Sequence, residues 1–247
     1  MELYTPYTQL IPSLVDPLQP HRVVDSQLPR EQAGFRRGRS TADQVTLLCQ
    51  DIEDSFQDNE KAGVVYLDLT AAYDTVWHRG LHLKLLRTIP DRHILKFIME
   101  TLSNRSFILH TSSGQCSRLR RLKNGVPQGS VLSPMLFNVY IHDLPDTASR
   151  KYGYADDLAI MLSRPTWKAM EEGLNEDMGT LVAYLRRWHL QLSVGKSVAA
   201  AYYLSTREAR RELEVRVDNK CLEVQQAPKY LGVCLDRTLS FKQKKKS

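Results

Sequence analysis

Tyr154-Ala155-Asp156-Asp157, followed by Leu158-Ala159-Ile160-Met161-Leu162, sets two adjacent carboxylates beside an apolar run. The pattern predicts a strand, a tight turn bearing both aspartates, and a returning buried strand. A third aspartate, Asp68, ends a separate apolar run, Val64-Val65-Tyr66-Leu67. That run predicts another strand, able to lie antiparallel beside the hairpin and bring Asp68 to the same sheet end. Carboxylates converging at strand ends suit paired Mg²⁺ ions, and such ions, about 3.5–4 Å apart, transfer phosphoryl groups. Strand side chains alternate faces, so Asp156 and Asp157 are not expected to point the same way. Asp156 is expected to bridge the ions with Asp68, leaving Asp157 peripheral.

The 247 residues suffice for one large domain or two small ones, and a hydrophobic content of 42% supports a sizeable core. A net charge of +6 favours an anionic partner, nucleic acid or a membrane surface. The four cysteines, Cys49, Cys116, Cys221 and Cys234, form no CxxC pair and read as reduced thiols of an intracellular protein. No apolar run has the length of a membrane span, and the first residues lack a secretion-signal pattern. The scattered histidines His78, His82, His93, His142 and His189 read as surface or packing residues. No Ser-His-Asp or Cys-His arrangement stands out, which fits in-line transfer without a protein nucleophile.

Residues 1–27, with four prolines, read as an extended lead-in. Ser40 and Thr41 open a helix with Val45, Leu48, Cys49, Ile52 and Phe56 on one face, broken at 59–63. Asp74 is expected to cap one helix running to Thr88, and Ile94, Phe97, Ile98 and Leu102 to face inward from the next. A β-hairpin is expected around Ser112-Ser113-Gly114-Gln115. A helix should start near Ser130 and a long one should carry Trp167 to Trp188. Short strands about 198–205, 213–217, 221–224 and 230–235 close the chain. This mixed order predicts an α+β fold, an antiparallel sheet covered by helices.

Asp68-Leu69-Thr70-Ala71-Ala72-Tyr73-Asp74, Gly125-Val126-Pro127-Gln128-Gly129-Ser130-Val131-Leu132-Ser133-Pro134 and Tyr154-Ala155-Asp156-Asp157 occur in the order and spacing of a reverse transcriptase palm. Glu31-Gln32-Ala33-Gly34-Phe35-Arg36-Arg37-Gly38-Arg39-Ser40-Thr41 and Lys229-Tyr230-Leu231-Gly232-Val233 resemble the non-LTR (LINE-type) retrotransposon branch. The resemblance implies a right-hand polymerase palm with partial fingers over 28–241: fingers about 28–62 and 77–124, palm about 63–76 and 125–241. Residues 242–247 form a basic tail. It implies an RNA-directed DNA polymerase that uses two Mg²⁺ (Mn²⁺ may substitute), an RNA template, a DNA primer and dNTPs.

Roles follow by position. Asp68 and Asp156 would hold both metals, with Asp157 assisting and Leu69 beside them at the metal and nucleotide. Tyr73 would exclude a 2′-hydroxyl, against the alternative of a core aromatic. Gln128 and Gly129 would contact the nucleotide, and Lys196 would protonate the departing pyrophosphate. Arg36, Arg37 and Arg39 would meet template or nucleotide phosphates, with Arg118, Arg120, Arg121 and Lys123 as similar candidates. Tyr230, Leu231 and Gly232 would grip the primer through backbone and an aromatic ring.

The chain departs from the family pattern at several points. Tyr4-Thr5-Pro6 lacks an arginine, Ser193 stands where the family has asparagine, and Phe241 where it has tryptophan. The lysine run comes before any thumb, so a partial polymerase is expected. A non-catalytic nucleic-acid-binding remnant is the alternative reading, and an RNA-templated RNA polymerase is disfavoured by Tyr73. Target-site priming in the family implies nuclear action.

Overall fold

The computed structural model describes residues 20–110, 114–205 and 211–240. Helix α1 spans Pro20–Gln27, so the expected irregular lead-in ends sooner than 27. Proline suits a first helical position, where no N–H partner is needed. Residues 1–19 and the expected basic tail lie outside the described residues.

Helix α2, Thr41–Gln57, starts as anticipated. Ser40 Oγ accepts from the Asp43 amide and the Asp43 carboxylate accepts from the Ser40 amide, a reciprocal cap. Strand β1, Lys61–Leu67, begins inside the stretch read as a break. Gly63 belongs to the strand because its missing side chain leaves room for Leu174 and Met170: a Cβ there would lie 2.7 Å from Leu174 Cδ1.

The single helix expected from Asp74 to Thr88 is two, α3 (Ala72–Thr75) and α4 (His78–Thr88). Asp74 lies within α3, and α4 has no side-chain cap. The helical bond from the Trp77 amide to the Tyr73 carbonyl is replaced from both ends. The Tyr73 carbonyl accepts from Val126, and the Trp77 amide donates to the Tyr140 hydroxyl. Helix α5, Arg92–Leu102, is capped by Asp91 and buries Leu95, Ile98 and Leu102. Ile94 and Phe97 are only half-buried. Strands β2 (Ser106–Phe107) and β3 (Arg120–Arg121) pair antiparallel, shorter than the strands expected there, while Ser112 and Ser113 of the expected turn lie outside the described residues. Helix α6, Ser133–Ile141, begins three residues after Ser130.

Strands β4 (Arg150–Tyr154) and β5 (Asp157–Arg164) form the aspartate hairpin, and helix α7 spans Trp167–Arg187. Strand β6, Val198–Tyr202, is followed by β7 (Arg216–Val217), β8 (Lys220–Cys221), β9 (Glu223–Val224), β10 (Lys229–Tyr230) and β11 (Val233–Cys234).

The chain divides into two compact units. The larger holds residues 30–72 and 143–247, built on a five-stranded sheet ordered β4-β5-β1-β6-β9. β1 pairs antiparallel with both β5 and β6, while β9 joins β6 in parallel. Alternation sorts the side chains into two cores. Val64, Tyr66, Tyr152, Ala159, Met161 and Tyr202 pack with Val45, Leu48 and Ile52 of α2. Val65, Leu67, Leu158, Ile160 and Leu162 pack with Met170, Leu174, Met178 and Leu181 of α7. The smaller unit holds residues 1–29 and 73–142, where α4 packs against α1, α5 and α6. This division differs from the expected fingers and palm boundaries. α2 lies in the same unit as the sheet it packs on, and α6 in the same unit as α4.

Candidate active site

The site begins with strand register. Leu67, the last residue of β1, pairs with Leu158, so Asp68 follows the strand at the end where Asp157 opens β5. Tyr154 pairs with Asp157, leaving Ala155 and Asp156 as a two-residue turn. Ala155 has φ 59°, a left-handed conformation at the first central position, as in a type II′ turn. A non-glycine residue there costs on the order of 1–2 kcal/mol, so surrounding contacts must hold it.

The aspartates interact through charge. The Asp157 carboxyl is raised above its usual range, first by lost hydration and then by the charges of Asp156 and Asp68. Asp157 is therefore close enough to both Asp156 and Asp68 to feel their charge. Among the described residues, no three His, Cys, Asp or Glu side chains already enclose a metal position. The expected convergence is electrostatic proximity, with no preformed cage.

The Leu192–Ser197 segment fixes Asp68. The Asp68 amide donates to Ser197 Oγ at 3.1 Å, and the Asp68 carbonyl accepts from the Ser193 amide at 2.8 Å. Ser197 Oγ in turn donates to the Ser193 carbonyl. A bridge between Leu69 and Leu192 extends this docking. Lys196 Nζ thereby lies 3.6 Å from Asp68 Oδ2. That oxygen is buried and has no hydrogen-bond partner. A buried hard oxygen that accepts no hydrogen bond, and meets only the Lys196 ammonium at 3.6 Å, keeps capacity for a hard divalent cation. Leu69 has a buried apolar side chain and offers only backbone to such a site.

The Glu31–Arg39 block lies against the aspartate turn. The Gln32 side chain donates to the Ala155 carbonyl at 3.2 Å, and Phe35 and Tyr154 rings are 6.5 Å apart. Arg36 donates to the Gln32 carbonyl and is half-buried, while Arg37 and Arg39 are exposed. The Tyr230-to-Val233 hairpin has positive φ at Leu231 and Gly232, the pattern of a type I′ turn. The Tyr230 ring is buried against Tyr66, and its hydroxyl donates to the Tyr152 carbonyl. That aromatic is part of the core, so backbone and the hairpin tip are what remain outward.

In the smaller unit, Tyr73 is half-buried and stacked on Phe137 at 4.8 Å, which satisfies the core alternative on one face of the ring. Gln128 is exposed and donates to both Asp74 carboxylate oxygens at 3.2 Å. Gly129 has φ 86° and open space where a Cβ would lie. Arg118, Arg120, Arg121 and Lys123 are exposed on or beside the β2–β3 hairpin. No positioning role was legible in the sequence for Gln32, Ser193 or Ser197, though Gln32 lies in a family block and Ser193 marks a departure from the family pattern, since nothing local marks a glutamine or serine whose partner is more than a hundred residues away.

A β-hairpin bearing paired aspartates beside a strand ending in a third is the palm arrangement of a nucleic-acid polymerase. The chain matches the family "Reverse transcriptase (RNA-dependent DNA polymerase)" over residues 5–235 and belongs to it. Its relatives place it on the non-LTR, LINE-type branch. It is 33% identical to a probable RNA-directed DNA polymerase from transposon BS of Drosophila melanogaster, over 87% of this chain and 24% of that protein. It is 28% identical to the RNA-directed DNA polymerase from mobile element jockey of Drosophila funebris, over 98% of this chain and 28% of that one. The chain thus spans about a quarter of these relatives' length. In fold it is similar to telomerase from Candida tropicalis, with TM-score 0.60, 11% identity, and coverage of 90% of this chain and 36% of that one. The right-hand polymerase fold expected from sequence is therefore present. Divalent-metal dependence goes with this family in general, and no helix among the described residues is long and apolar enough to cross a membrane.

Proposed function

We propose that this chain carries the nucleotidyl-transfer centre of an RNA-directed DNA polymerase, extending a DNA primer on an RNA template from dNTPs. The observation that carries the proposal is the buried Asp68 Oδ2, which accepts no hydrogen bond, beside a turn whose Asp157 carboxyl is raised first by lost hydration and then by the charges of Asp156 and Asp68. Asp68, Asp156 and Asp157 would hold two Mg²⁺. When bound, such ions supply activation of the primer hydroxyl and neutralisation of the triphosphate.

The remaining work falls to the chain itself. Ser193 and Ser197 fix the Asp68 backbone, so its carboxylate is aimed before substrate arrives. Lys196, exposed and 3.6 Å from Asp68 Oδ2, is suited to give a proton to departing pyrophosphate. On family resemblance, Tyr73 would reject the 2′-hydroxyl, Gln128 and Gly129 would read the nucleotide, and Arg36, Arg37 and Arg39 would meet phosphates. Leu231 and Gly232 would contact the primer through backbone. Nuclear action belongs to this proposal on the same ground.

Primer extension on poly-rA with dTTP and Mg²⁺, beside Asp156→Asn, tests it. Incorporation should be lost in the variant with folding intact, because the charge goes while the shape stays. A folded wild-type chain that binds primer–template yet incorporates nothing supports the non-catalytic alternative. Unchanged incorporation by Asp156→Asn overturns the metal assignment.

A further inference from the structure

We propose that Gln32 is a positioning residue that clamps the aspartate turn, its carboxamide holding the Ala155 carbonyl so that Asp156 and Asp157 keep a fixed aim. The inference rests on the reading of that turn as the metal-holding element. Gln32 is 4% exposed, an uncommon place for a glutamine unless its amide is in use. Both ends of the amide are engaged. Nε2 donates to the Ala155 carbonyl at 3.2 Å, and Oε1 accepts from the Gly34 amide at 3.3 Å.

The segment carrying Gln32 is itself stitched to the outer edge of β4. The Ala33 amide donates to the Gly153 carbonyl, and the Gly153 amide to the Glu31 carbonyl, both at 2.8 Å. Two glycines make the approach possible. A Cβ on Gly34 would lie 2.2 Å from the Ala155 nitrogen, and one on Gly153 would lie 3.1 Å from Gln32 Oε1. Backbone of one segment therefore rests directly on backbone of the turn.

The clamp meets a need already visible in the turn. Ala155 holds a left-handed φ without being glycine, and such a conformation persists only where its surroundings over-determine it. A partner for the Ala155 carbonyl, supplied from 123 residues away, does this immediately before Asp156. The arrangement resembles the outer hydrogen bonds that orient ligands in metal sites generally.

The full chain and Gln32→Met are compared by amide hydrogen exchange without metal, by Mn²⁺ binding read from the EPR of the free ion, and by primer extension. Methionine keeps the length and removes both hydrogen bonds. Exchange at Asp156 and Asp157 should quicken by about tenfold in the variant. Mn²⁺ affinity and kcat should each fall roughly 10–100-fold. KM for dTTP should stay within about twofold, as for a residue that touches no substrate.

Should Gln32→Met fail to fold, the wild-type chain still decides. Its Gln32 side-chain amide protons should exchange far more slowly than those of the exposed Gln191. Equal exchange at the two, or a folded variant with unchanged turn exchange and Mn²⁺ affinity, overturns the clamp. A wild-type chain that protects the turn and binds Mn²⁺ but extends no primer leaves the clamp standing and refutes the polymerase reading.

Discussion

Replacing Asp157 by asparagine should make the protein more stable and less active at once, and the structure gives the sign of each effect. Asp157 lies beside Asp156 and within electrostatic reach of Asp68, and its carboxyl is raised above the ordinary range by lost hydration and by both charges. A raised carboxyl binds its proton more tightly when folded than when unfolded. Its contribution to stability is full in acid and is lost as pH rises through the folded value, so at neutral pH the native state carries a penalty. Asp157 reaches solvent, so screening keeps the repulsion small, and Asp156 is its neighbour in the unfolded chain too, so the relief gained by the folded state comes mainly from Asp68 and amounts to about 0.2–1 kcal/mol. For a domain of this size that raises Tm by about 0.5–4 °C.

The assay is urea unfolding from pH 3 to pH 8, followed by fluorescence. Trp167 and Trp188 report on the unit that contains Asp157. The advantage of Asp157→Asn should be full once the pH is above the folded value and vanish toward pH 3, below the ordinary carboxylate range, while nucleotide incorporation at neutral pH falls by at least about tenfold for want of an assisting carboxylate. A variant less stable than wild type at pH 8, or one whose advantage is constant across the range, would refute the claim that these aspartates oppose one another.

Tyr73→Ala should admit ribonucleotides and lose the stack on Phe137, worth about 0.5–1.5 kcal/mol; urea unfolding paired with rNTP incorporation measures both. Tyr230→Phe removes only the hydroxyl bond to the Tyr152 carbonyl, so it should cost about 0.5–1.5 kcal/mol and leave primer affinity unchanged; weakened primer binding at unaltered stability would return this ring to the primer. Gly125→Ala should destabilise by about 1–3 kcal/mol, since its φ is 86° and a Cβ would lie 2.8 Å from the Asp74 carbonyl oxygen; an unchanged urea midpoint would contradict that geometry.

What could be read from sequence, and what could not, follows one physical division. The helix from Thr41, its Ser40 cap and the buried face Val45, Leu48, Cys49 and Ile52 were legible because cap, period and breaker all lie within a few residues. The aspartate hairpin was legible for the same reason, and the five ordered motifs carried the family. The break between α3 and α4 was not, because it depends on the Val126 amide and the Tyr140 hydroxyl taking the groups a continuous helix would have used. Nor was the burial of Tyr230, or Gly63 lying inside a strand, since α7 supplies the atoms that need a missing Cβ.

By itself the sequence determined the reverse transcriptase family, the three aspartates and the alternation that gives the sheet two apolar faces. Only the tertiary structure decided that Asp157 feels the charge of Asp68, that Ser193 and Ser197 fix the latter's backbone, and that Gln32 reaches the Ala155 carbonyl. Periodicity and caps are written in neighbouring residues. A hydrogen bond across 123 positions exists only once strand register and packing have brought its two ends together.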